Sequence, residues 1–333
     1  MKHSNISIFV PHAGCPHQCS FCNQKTISGA QQQPSAEDVH RICSQALREV
    51  HDRQNSEIAF FGGSFTAIDR SYMLELLEAA KCFIGENGFK GIRISTRPDF
   101  IDREILDILK TYGVTAIELG AQSMKDKVLE ANERGHTAED VRRASALIRE
   151  YGFELGLQMM VGLYQSTDKD EFDTIDSIIE ISPDTVRIYP VVVLEGTKLA
   201  QLYRSGDYEL MPFSDVVEIC SIALMRFEYD NIKVIKCGLH ASDGVEGDMV
   251  AGYYHPAFRE LCESRIYFWR MDELTAYEAS DNGTYVFAVN PSCISKALGH
   301  KKCNAIYFKE NFGIDIKVIG DEKIPKYQCE IRG

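Results

Sequence analysis

Short apolar runs alternate with amphipathic segments along the first part of this 333-residue chain. A run of about four to eight apolar residues is typical of a buried strand, and an apolar stripe of period 3.6 is typical of a helix packed on one face. Strands that alternate with helices form a parallel sheet covered by helices. The alternation therefore predicts an α/β fold. The six predicted strands are residues 6–10, 58–61, 92–95, 116–120, 154–160 and 185–189.

Helical segments are predicted between these strands. Six β-α units favour a partial (β/α)6 TIM-like barrel over a closed eight-stranded barrel, and in such barrels the reacting groups lie on loops after the carboxyl ends of the strands. Beyond the barrel, a helix over 214–229, a strand over 232–235 and a strand, helix, helix, strand series over 284–319 predict a small C-terminal α+β extension. We therefore expect a barrel domain over residues 1–212 and an extension over 213–333 that completes the substrate site. The predicted helices of the barrel are residues 36–52, 70–84, 102–112, 125–131, 137–151 and 168–181.

Three cysteines follow the first predicted strand, in Cys15-Pro-His-Gln-Cys19-Ser-Phe-Cys22. Thiolates at this spacing can converge on one centre. Three thiolates would bind three irons of a [4Fe–4S] cluster and leave the fourth iron open for a ligand. An open coordination position is typical of a reacting metal centre. The alternatives are a zinc site completed by His12 or His17, and a chance grouping of cytosolic cysteines.

The composition limits the partners of the chain. Its formal net charge of −13 argues against a polyanion as main partner, because phosphate contacts need basic residues. The eleven cysteines lack the dense spacing of a secreted disulfide scaffold, which favours a reducing cytoplasm. No apolar run reaches the roughly 18 residues of a membrane span, and the first residues show no signal peptide pattern. We therefore expect a cytoplasmic protein without a membrane partner.

The cysteine spacing, with Phe21 before the last cysteine, resembles the signature of radical S-adenosylmethionine (SAM) enzymes. The resemblance implies that Cys15, Cys19 and Cys22 bind a catalytic [4Fe–4S] cluster, and that Phe21 contributes to SAM binding. In that superfamily the open iron chelates SAM, and an electron from the cluster cleaves SAM to methionine and a 5′-deoxyadenosyl radical. The radical abstracts a hydrogen atom from the substrate. A reducing electron donor such as flavodoxin or ferredoxin is implied as a partner.

Several further stretches resemble the radical SAM domain of the Elongator catalytic subunit and its short bacterial relatives. One departure is Gly162-Leu163-Tyr164-Gln165, where the family has Gly-Leu-Pro-Gly. We also expect neither an acetyltransferase domain nor an RNA-binding appendage in this chain. The stretches that carry the resemblance are residues 10–15, 62–66, 118–123, 134–137 and 154–163.

The resemblance also implies contacts to SAM. Gly62-Gly63-Ser64 matches the two-glycine stretch that hydrogen-bonds the SAM amino group, and its glycines allow close backbone approach. Ser95 and Arg97 match a position that contacts the SAM ribose or carboxylate. The alternative is that Ser95 and Thr96 cap the next helix, with Arg97 on the surface.

Four polar residues on or after the later strands complete the expected cofactor site. Arg134 resembles an arginine that meets the SAM carboxylate, for which its fork of donors is suited. Gln122 is expected at the cofactor, and Gln158 is an adenosine or ribose contact. Glu118 is either ligand-facing or paired with an arginine, because a buried carboxylate needs a partner or must be neutral.

Three residues are candidates for the substrate site: Tyr189 at the end of strand six, and His240 and His255 in a polar, glycine-rich segment. The histidines could donate protons, hydrogen-bond a polar substrate, or be satisfied polar groups without a catalytic role.

Among acidic proteins of this kind, the chain looks most like queuine lyases, which release 7-aminomethyl-7-deazaguanine from queuine for queuosine salvage. The resemblance implies a small-molecule substrate, a deazaguanine base or nucleoside. The alternative enzyme is a tRNA-modifying radical SAM protein of the Elongator-like group, with nucleic acid as a less favoured partner. The alternative outside enzymes is an iron–sulfur or zinc sensor.

Overall fold

The computed structural model describes residues 4–11, 15, 18–23, 32–239, 243–277 and 283–332. Strands and helices alternate through its first part, as predicted. The strands are β1 (Ser4–Val10), β2 (Ser56–Gly62), β3 (Gly91–Thr96), β4 (Val114–Gln122), β5 (Glu154–Val161), β6 (Thr185–Pro190), β7 (Val192–Leu194), β8 (Lys233–Cys237), β9 (Met249–Gly252), β10 (Thr284–Val289), β11 (Asp315–Gly320) and β12 (Cys329–Ile331). The helices are α1 (Ala36–Glu49), α2 (Arg70–Lys81), α3 (Arg103–Thr111), α4 (Asp126–Ala131), α5 (Ala138–Glu150), α6 (Asp168–Ile181), α7 (Lys198–Ser205), α8 (Phe213–Tyr229), α9 (Asp243–Asp248), α10 (Phe258–Tyr277), α11 (Ile294–Leu298) and α12 (Cys303–Phe312).

Strands β1 to β6 lie side by side in chain order, and each pairs in parallel with the next. Because helices connect these parallel strands, all six carboxyl ends lie at one edge of the sheet. The predicted partial (β/α)6 barrel is confirmed. The loops after β1, β2, β3 and β4, which carry most of the predicted site residues, therefore meet at this edge.

Three barrel helices begin with the same capping interaction. The Ser35 hydroxyl accepts a hydrogen bond from the Asp38 backbone N–H, and the Asp38 carboxylate accepts one from the Ser35 backbone N–H. Thr137 starts α5 and Thr167 starts α6 with the same reciprocal pair, again with an aspartate three residues on. Such a capping box satisfies two donors that a helix start otherwise leaves unpaired.

The chain divides into two compact units. The first comprises Met1–Leu210 and His240–Tyr253, and the second Met211–Leu239 and Tyr254–Gly333. Antiparallel pairing of β7 with β9 explains why the later segment belongs to the first unit. Within the second unit, β10 pairs in parallel with β11 and antiparallel with β12. The α+β character predicted for the C-terminal part is confirmed, whereas its role in completing the substrate site stays a prediction.

Helix α10 was not predicted, because polar residues separate its buried side chains. These buried side chains are Phe258, Cys262, Ile266, Tyr267 and Met271, which lie on one face of the helix. Two helices end earlier than predicted: α1 ends at Glu49, because Val50 is extended, and α2 ends at Lys81.

Within the described part of the chain, no helix is both long and apolar enough to cross a lipid bilayer.

Candidate cluster and cofactor site

The cysteine loop is fastened to the barrel by its apolar side chains. Cys19 and Phe21 are buried, at 7% and 8% exposure, among Leu163, Val193 and Leu199. Cys22 is partly buried and packs against the same apolar cluster, while Cys15 is exposed. The Phe21 ring therefore anchors the segment that carries the last two cysteines. Its expected part in SAM binding stays a prediction.

A pair of polar side chains inside this apolar setting fixes the loop. Ser20 and Asn132 are both fully buried. The Ser20 backbone N–H donates to the Asn132 carbonyl at 3.1 Å, and the Ser20 hydroxyl donates to Asn132 Oδ1 at 2.8 Å. Asn132 Nδ2 in turn donates to the carbonyls of Val128 and Tyr164 at 2.8 and 2.9 Å. We call Ser20 and Asn132 the loop clasp, because it holds the residue between Cys19 and Cys22.

The three thiols of the cysteine loop influence one another electrostatically. Burial raises the pKa of Cys22 to about 12, and the charges of Cys19 and Cys15 add to this shift. Three thiolates together need a positive centre to neutralise them. Among the described residues, no three His, Cys, Asp or Glu side chains are placed to share one metal ion. His12 and His17, the candidate zinc ligands, lie outside the described residues.

The Gly62-Gly63-Ser64 stretch follows β2 and lies against the end of β1. Gly62 has a φ of +115°, and a Cβ added there would be 2.9 Å from the Val10 carbonyl oxygen. The Gly63 backbone N–H donates to the same oxygen at 3.0 Å. Ser64 is buried, and its Oγ is 4.0 Å from Cys15 Sγ. The two-glycine loop is thus next to the cysteine loop, as its expected role requires, and only glycine is accommodated at position 62.

The structure decides between the alternatives for the loop after β3. Arg97 is 3% exposed and pairs through Nε and Nη2 with Asp99, at 2.9 Å each, so the surface alternative is wrong. Its Nη1 is buried and has no partner among the described residues. Thr96 hydrogen-bonds Thr66 at 2.6 Å, and the next α-helix is capped by Asp102, so the capping alternative is also wrong. Ser95 is half-buried on β3. SAM contacts by Ser95 and Arg97 stay predictions.

Arg134 contacts the buried cysteine of the loop, while Gln122 and Gln158 contact each other. Arg134 donates to Cys19 Sγ at 3.0 Å and to the Gly120 carbonyl at 2.7 Å. Gln158 Nε2 donates to Gln122 Oε1 at 3.4 Å. Gln122 has a φ of +66°, which residues other than glycine rarely adopt. It lies at the point where the register between β4 and β5 shifts. Strain of this kind is common at functional sites.

Glu118 is paired with arginines, which was the second of its two predicted roles. Its carboxylate, 3% exposed, accepts two hydrogen bonds from Arg187, at 2.6 and 2.9 Å, and one from Arg93 at 3.2 Å. Arg93 also donates to Glu57 at 2.9 Å and to Glu154 at 2.7 Å. These five charged residues come from five neighbouring strands, β2 to β6, and form an ion network across one face of the sheet. Glu118 is therefore a member of this network, and a direct SAM contact by Glu118 stays a prediction.

Comparisons with known proteins identify the family. A profile of the radical SAM superfamily matches residues 9–178, and a profile of the radical SAM C-terminal domain matches residues 183–267. The chain belongs to the radical SAM superfamily. Its cofactors are a [4Fe–4S] cluster and SAM. The predicted superfamily and cofactors are confirmed.

Relatives of this radical SAM chain include tRNA-modifying proteins. It is 31% identical over 196 residues to a tRNA uridine(34) acetyltransferase of Methanocaldococcus jannaschii, covering 52% of this chain and 36% of that protein. It is 30% identical over 213 residues to human Elongator complex protein 3, covering 57% of this chain and 38% of that protein. The solved structure of Methanocaldococcus infernus Elp3 matches with a TM-score of 0.64 at 19% identity, over 83% of this chain and 64% of the other. The chain thus spans between a third and about half of the curated relatives it matches first.

An aromatic pair lies at the open edge strand of the radical SAM barrel. Phe9 on β1 is 38% exposed, although Ile8 and Val10 on either side are buried. Its ring centroid is 6.4 Å from that of Phe61, its register partner on β2. The Arg187 guanidinium lies 5.3 Å from the Phe61 ring centre. This aromatic pair, Phe9 and Phe61, was not predicted as a site feature, because phenylalanine in a strand usually indicates core.

Two of the three predicted substrate residues are described. Burial raises the pKa of the Tyr189 phenol, against the opposing effect of the adjacent Arg187, so Tyr189 is protonated at neutral pH. His255, in the second unit, accepts a hydrogen bond at Nδ1 from the Ala257 backbone N–H at 3.1 Å, and its ring contacts that of His300. His240 lies outside the described residues. Substrate contacts by these three residues stay predictions.

The loop clasp gives a first testable result. Replacing Asn132 with alanine removes the acceptor and donors that hold Ser20, and leaves buried groups unpaired, which costs about 1–3 kcal/mol. We expect the variant to bind substantially less iron per chain after anaerobic reconstitution, and to unfold at lower urea concentration. Asn311→Ala, whose side chain is on the exposed face of α12, should match the unchanged protein. Full iron loading and unchanged stability of Asn132→Ala would show that the clasp is dispensable.

Glu171 makes the stability of the first unit depend on pH. Burial raises the pKa of Glu171 from 4.5 to about 7, despite hydrogen bonds from the Gly162 N–H and the Ser166 hydroxyl, both at 2.8 Å. Because the folded pKa lies above the unfolded one, stability is highest below about pH 4.5 for this group and is lost as the pH rises through 7.

Glu171→Gln keeps an acceptor at the same position but cannot ionise. We expect the free energy of unfolding of this variant to exceed that of the unchanged protein at pH 8, by about 1–3 kcal/mol, and to match it near pH 5. Urea unfolding at the two pH values measures this difference. Glu180→Gln, exposed on the same helix, is the control and should follow the unchanged protein. A parallel pH dependence of Glu171→Gln and the unchanged protein would contradict the assignment.

Proposed function

We propose that this radical SAM enzyme abstracts a hydrogen atom from a nucleoside of tRNA, as a member of the Elongator-like group in the reducing cytoplasm. The observation that carries the proposal is the 31% identity over 196 residues to a protein named tRNA uridine(34) acetyltransferase. A low-potential donor such as flavodoxin or ferredoxin would supply the electron. Since the chain spans only part of these relatives, acetyl transfer is not included in the proposal.

Different residues at the barrel edge would bind the cluster and SAM. Cys15, Cys19 and Cys22 would hold the cluster, and the Gly62-Gly63 backbone would hold SAM. When bound, the two cofactors supply a 5′-deoxyadenosyl radical by reductive cleavage of SAM. The chain itself orients the reactants and excludes water, for which the buried clasp and ion network provide a rigid frame.

The face of the sheet near Arg187 suits a flat, polar substrate. The rings of Phe9 and Phe61 offer an apolar aromatic surface, on which a nucleobase stacks with a gain of about 1–3 kcal/mol. Tyr189 holds its proton at Oη and can donate a hydrogen bond to an exocyclic oxygen or ring nitrogen of the base. Both features are compatible with a base in tRNA and with a free base.

A specific observation favours a second candidate, a free deazaguanine base, with queuine lyase as the particular reaction. The net charge is −13. A surface cavity of about 410 Å³ beside the Arg134 loop is lined by the carboxylates of Asp126, Glu130 and Glu133 as well as by His136. Such a surface opposes phosphate binding, which in nucleic-acid-binding proteins depends on basic groups. None of the named relatives is a queuine lyase, so this candidate stands second.

One assay separates the candidates. The enzyme, reconstituted anaerobically and reduced with dithionite, is mixed with SAM and either unmodified tRNA transcripts, queuine or no substrate, and 5′-deoxyadenosine is measured. The proposal expects tRNA to stimulate its formation, and the stimulation to weaken with added salt. Stimulation by queuine alone, with release of 7-aminomethyl-7-deazaguanine, would establish the second candidate instead. Stimulation by neither substrate would reject both, and no SAM cleavage in any sample would favour a sensor.

A further inference from the structure

Arg134 is buried against a ligand of the cluster. Arg134 is only 6% exposed, and Cys19 is 7% exposed. One terminal nitrogen, Nη1, lies 3.0 Å from Cys19 Sγ, and the other, Nη2, donates to the Gly120 carbonyl at 2.7 Å. Both terminal nitrogens of the guanidinium are thus engaged by the protein.

The charge of Arg134 lacks the usual partner. The other buried arginines of the barrel are paired with carboxylates: Arg93 with Glu57, Arg97 with Asp99, and Arg187 with Glu118. Within the described residues, no carboxylate lies within ion-pair distance of Arg134, and its Nε is buried without a hydrogen-bond partner. A buried charge is strongly unfavourable unless it is paired. The group that faces Arg134 is Cys19 Sγ, which is an anionic thiolate when it binds a cluster iron.

The surroundings of Arg134 hold it in this position. Its backbone N–H donates to the Leu129 carbonyl at 3.0 Å, and the loop clasp at Asn132 comes two residues earlier. A Cβ added at Gly120 would be 3.3 Å from Arg134 Nη2, so glycine leaves the space for the guanidinium to reach the carbonyl. These contacts therefore fix the orientation of the Arg134 guanidinium.

We propose that Arg134 is a positioning residue that neutralises the Cys19 thiolate and raises the reduction potential of the cluster. Hydrogen bonds to cluster sulfurs and nearby positive charge favour the reduced form, which carries one more negative charge. Easier reduction would help the cluster to accept its electron. This role differs from the contact with the SAM carboxylate that the resemblance implied, and it needs no assumption about the substrate.

The test is a potentiometric titration of the reconstituted cluster, followed by electron paramagnetic resonance, with no substrate present. Arg134→Gln should lower the potential, so that the ratio of reduced to oxidised cluster at a fixed potential falls about tenfold, or 59 mV for one electron. Arg134→Lys, which keeps the charge without the fork, should lower the ratio less. Arg143→Gln, exposed on α5, is the control and should leave the ratio unchanged.

Three results would overturn the proposal. The first is an unchanged potential in Arg134→Gln. The second is a weaker affinity for SAM in equilibrium dialysis with an unchanged potential, which would restore the SAM carboxylate contact. The third is loss of iron from both Arg134→Gln and Arg134→Lys, which would show a structural role. If only Arg134→Gln loses iron, the potential of Arg134→Lys decides.

Discussion

Cys19→Ser is expected to lose the visible absorbance of the cluster and to reduce 5′-deoxyadenosine formation to the level without enzyme. Iron in such clusters is bound by thiolates, and a serine hydroxyl does not ionise at neutral pH to replace one. Cys19 is also the most buried of the three loop cysteines, so no water or neighbouring side chain can take its place easily. Iron content, absorbance and SAM cleavage after anaerobic reconstitution measure the effect.

The matched control is Cys82→Ser. Cys82 is an exposed cysteine at the end of α2 and outside the cysteine loop. This variant should load iron and cleave SAM like the unchanged protein. A Cys19→Ser variant with full iron content and normal SAM cleavage would remove Cys19 from the cluster site.

Glu118→Ala should cause the largest loss of stability, about 3–5 kcal/mol in the free energy of unfolding of the first unit. The substitution leaves the guanidiniums of Arg93 and Arg187 buried, and Arg187 loses both of its hydrogen bonds to a carboxylate. Urea unfolding followed by circular dichroism measures the loss. The variant should also bind SAM more weakly, because the ion network connects the strands that are followed by the predicted cofactor loops.

Glu104→Ala is the control for this substitution. Glu104 also pairs with an arginine, Arg70, but its side chain is 75% exposed, so the loss should stay below about 1 kcal/mol. A loss below about 1 kcal/mol for Glu118→Ala as well would mean that the network contributes little. Its residues would then be better explained as ligands for a bound cofactor or substrate.

The fold was largely predictable because its signals are local. The apolar runs of β2 and β5 indicated buried parallel strands, and the apolar stripe of α1 indicated a helix. Features that depend on distant pairing were missed. The pairing of β7 with β9 joins segments far apart in the chain, and no residue of either segment predicts the other.

The same distinction between local and distant features holds for the site. The three cysteines were recognised from their spacing, and Gly62-Gly63 from its place after the second strand together with the resemblance. The partner of Glu118 stayed open, because Arg93 and Arg187 reach it only through the lateral order of the strands. Asn132 was missed, because it ends a short helix in a polar stretch and contacts Ser20 from 112 residues away. A polar residue at a helix end gives no sign of such a contact.

We expect Cys15, Cys19 and Cys22 to hold a [4Fe–4S] cluster whose fourth iron binds SAM. The electron paramagnetic resonance spectrum of the dithionite-reduced, reconstituted protein, recorded with and without SAM, tests this arrangement. The expected result is the signal of a reduced [4Fe–4S] cluster, and a change in that signal when SAM is added. A signal unaffected by saturating SAM, or a protein that retains zinc and no iron, would show that these cysteines do not hold such a cluster.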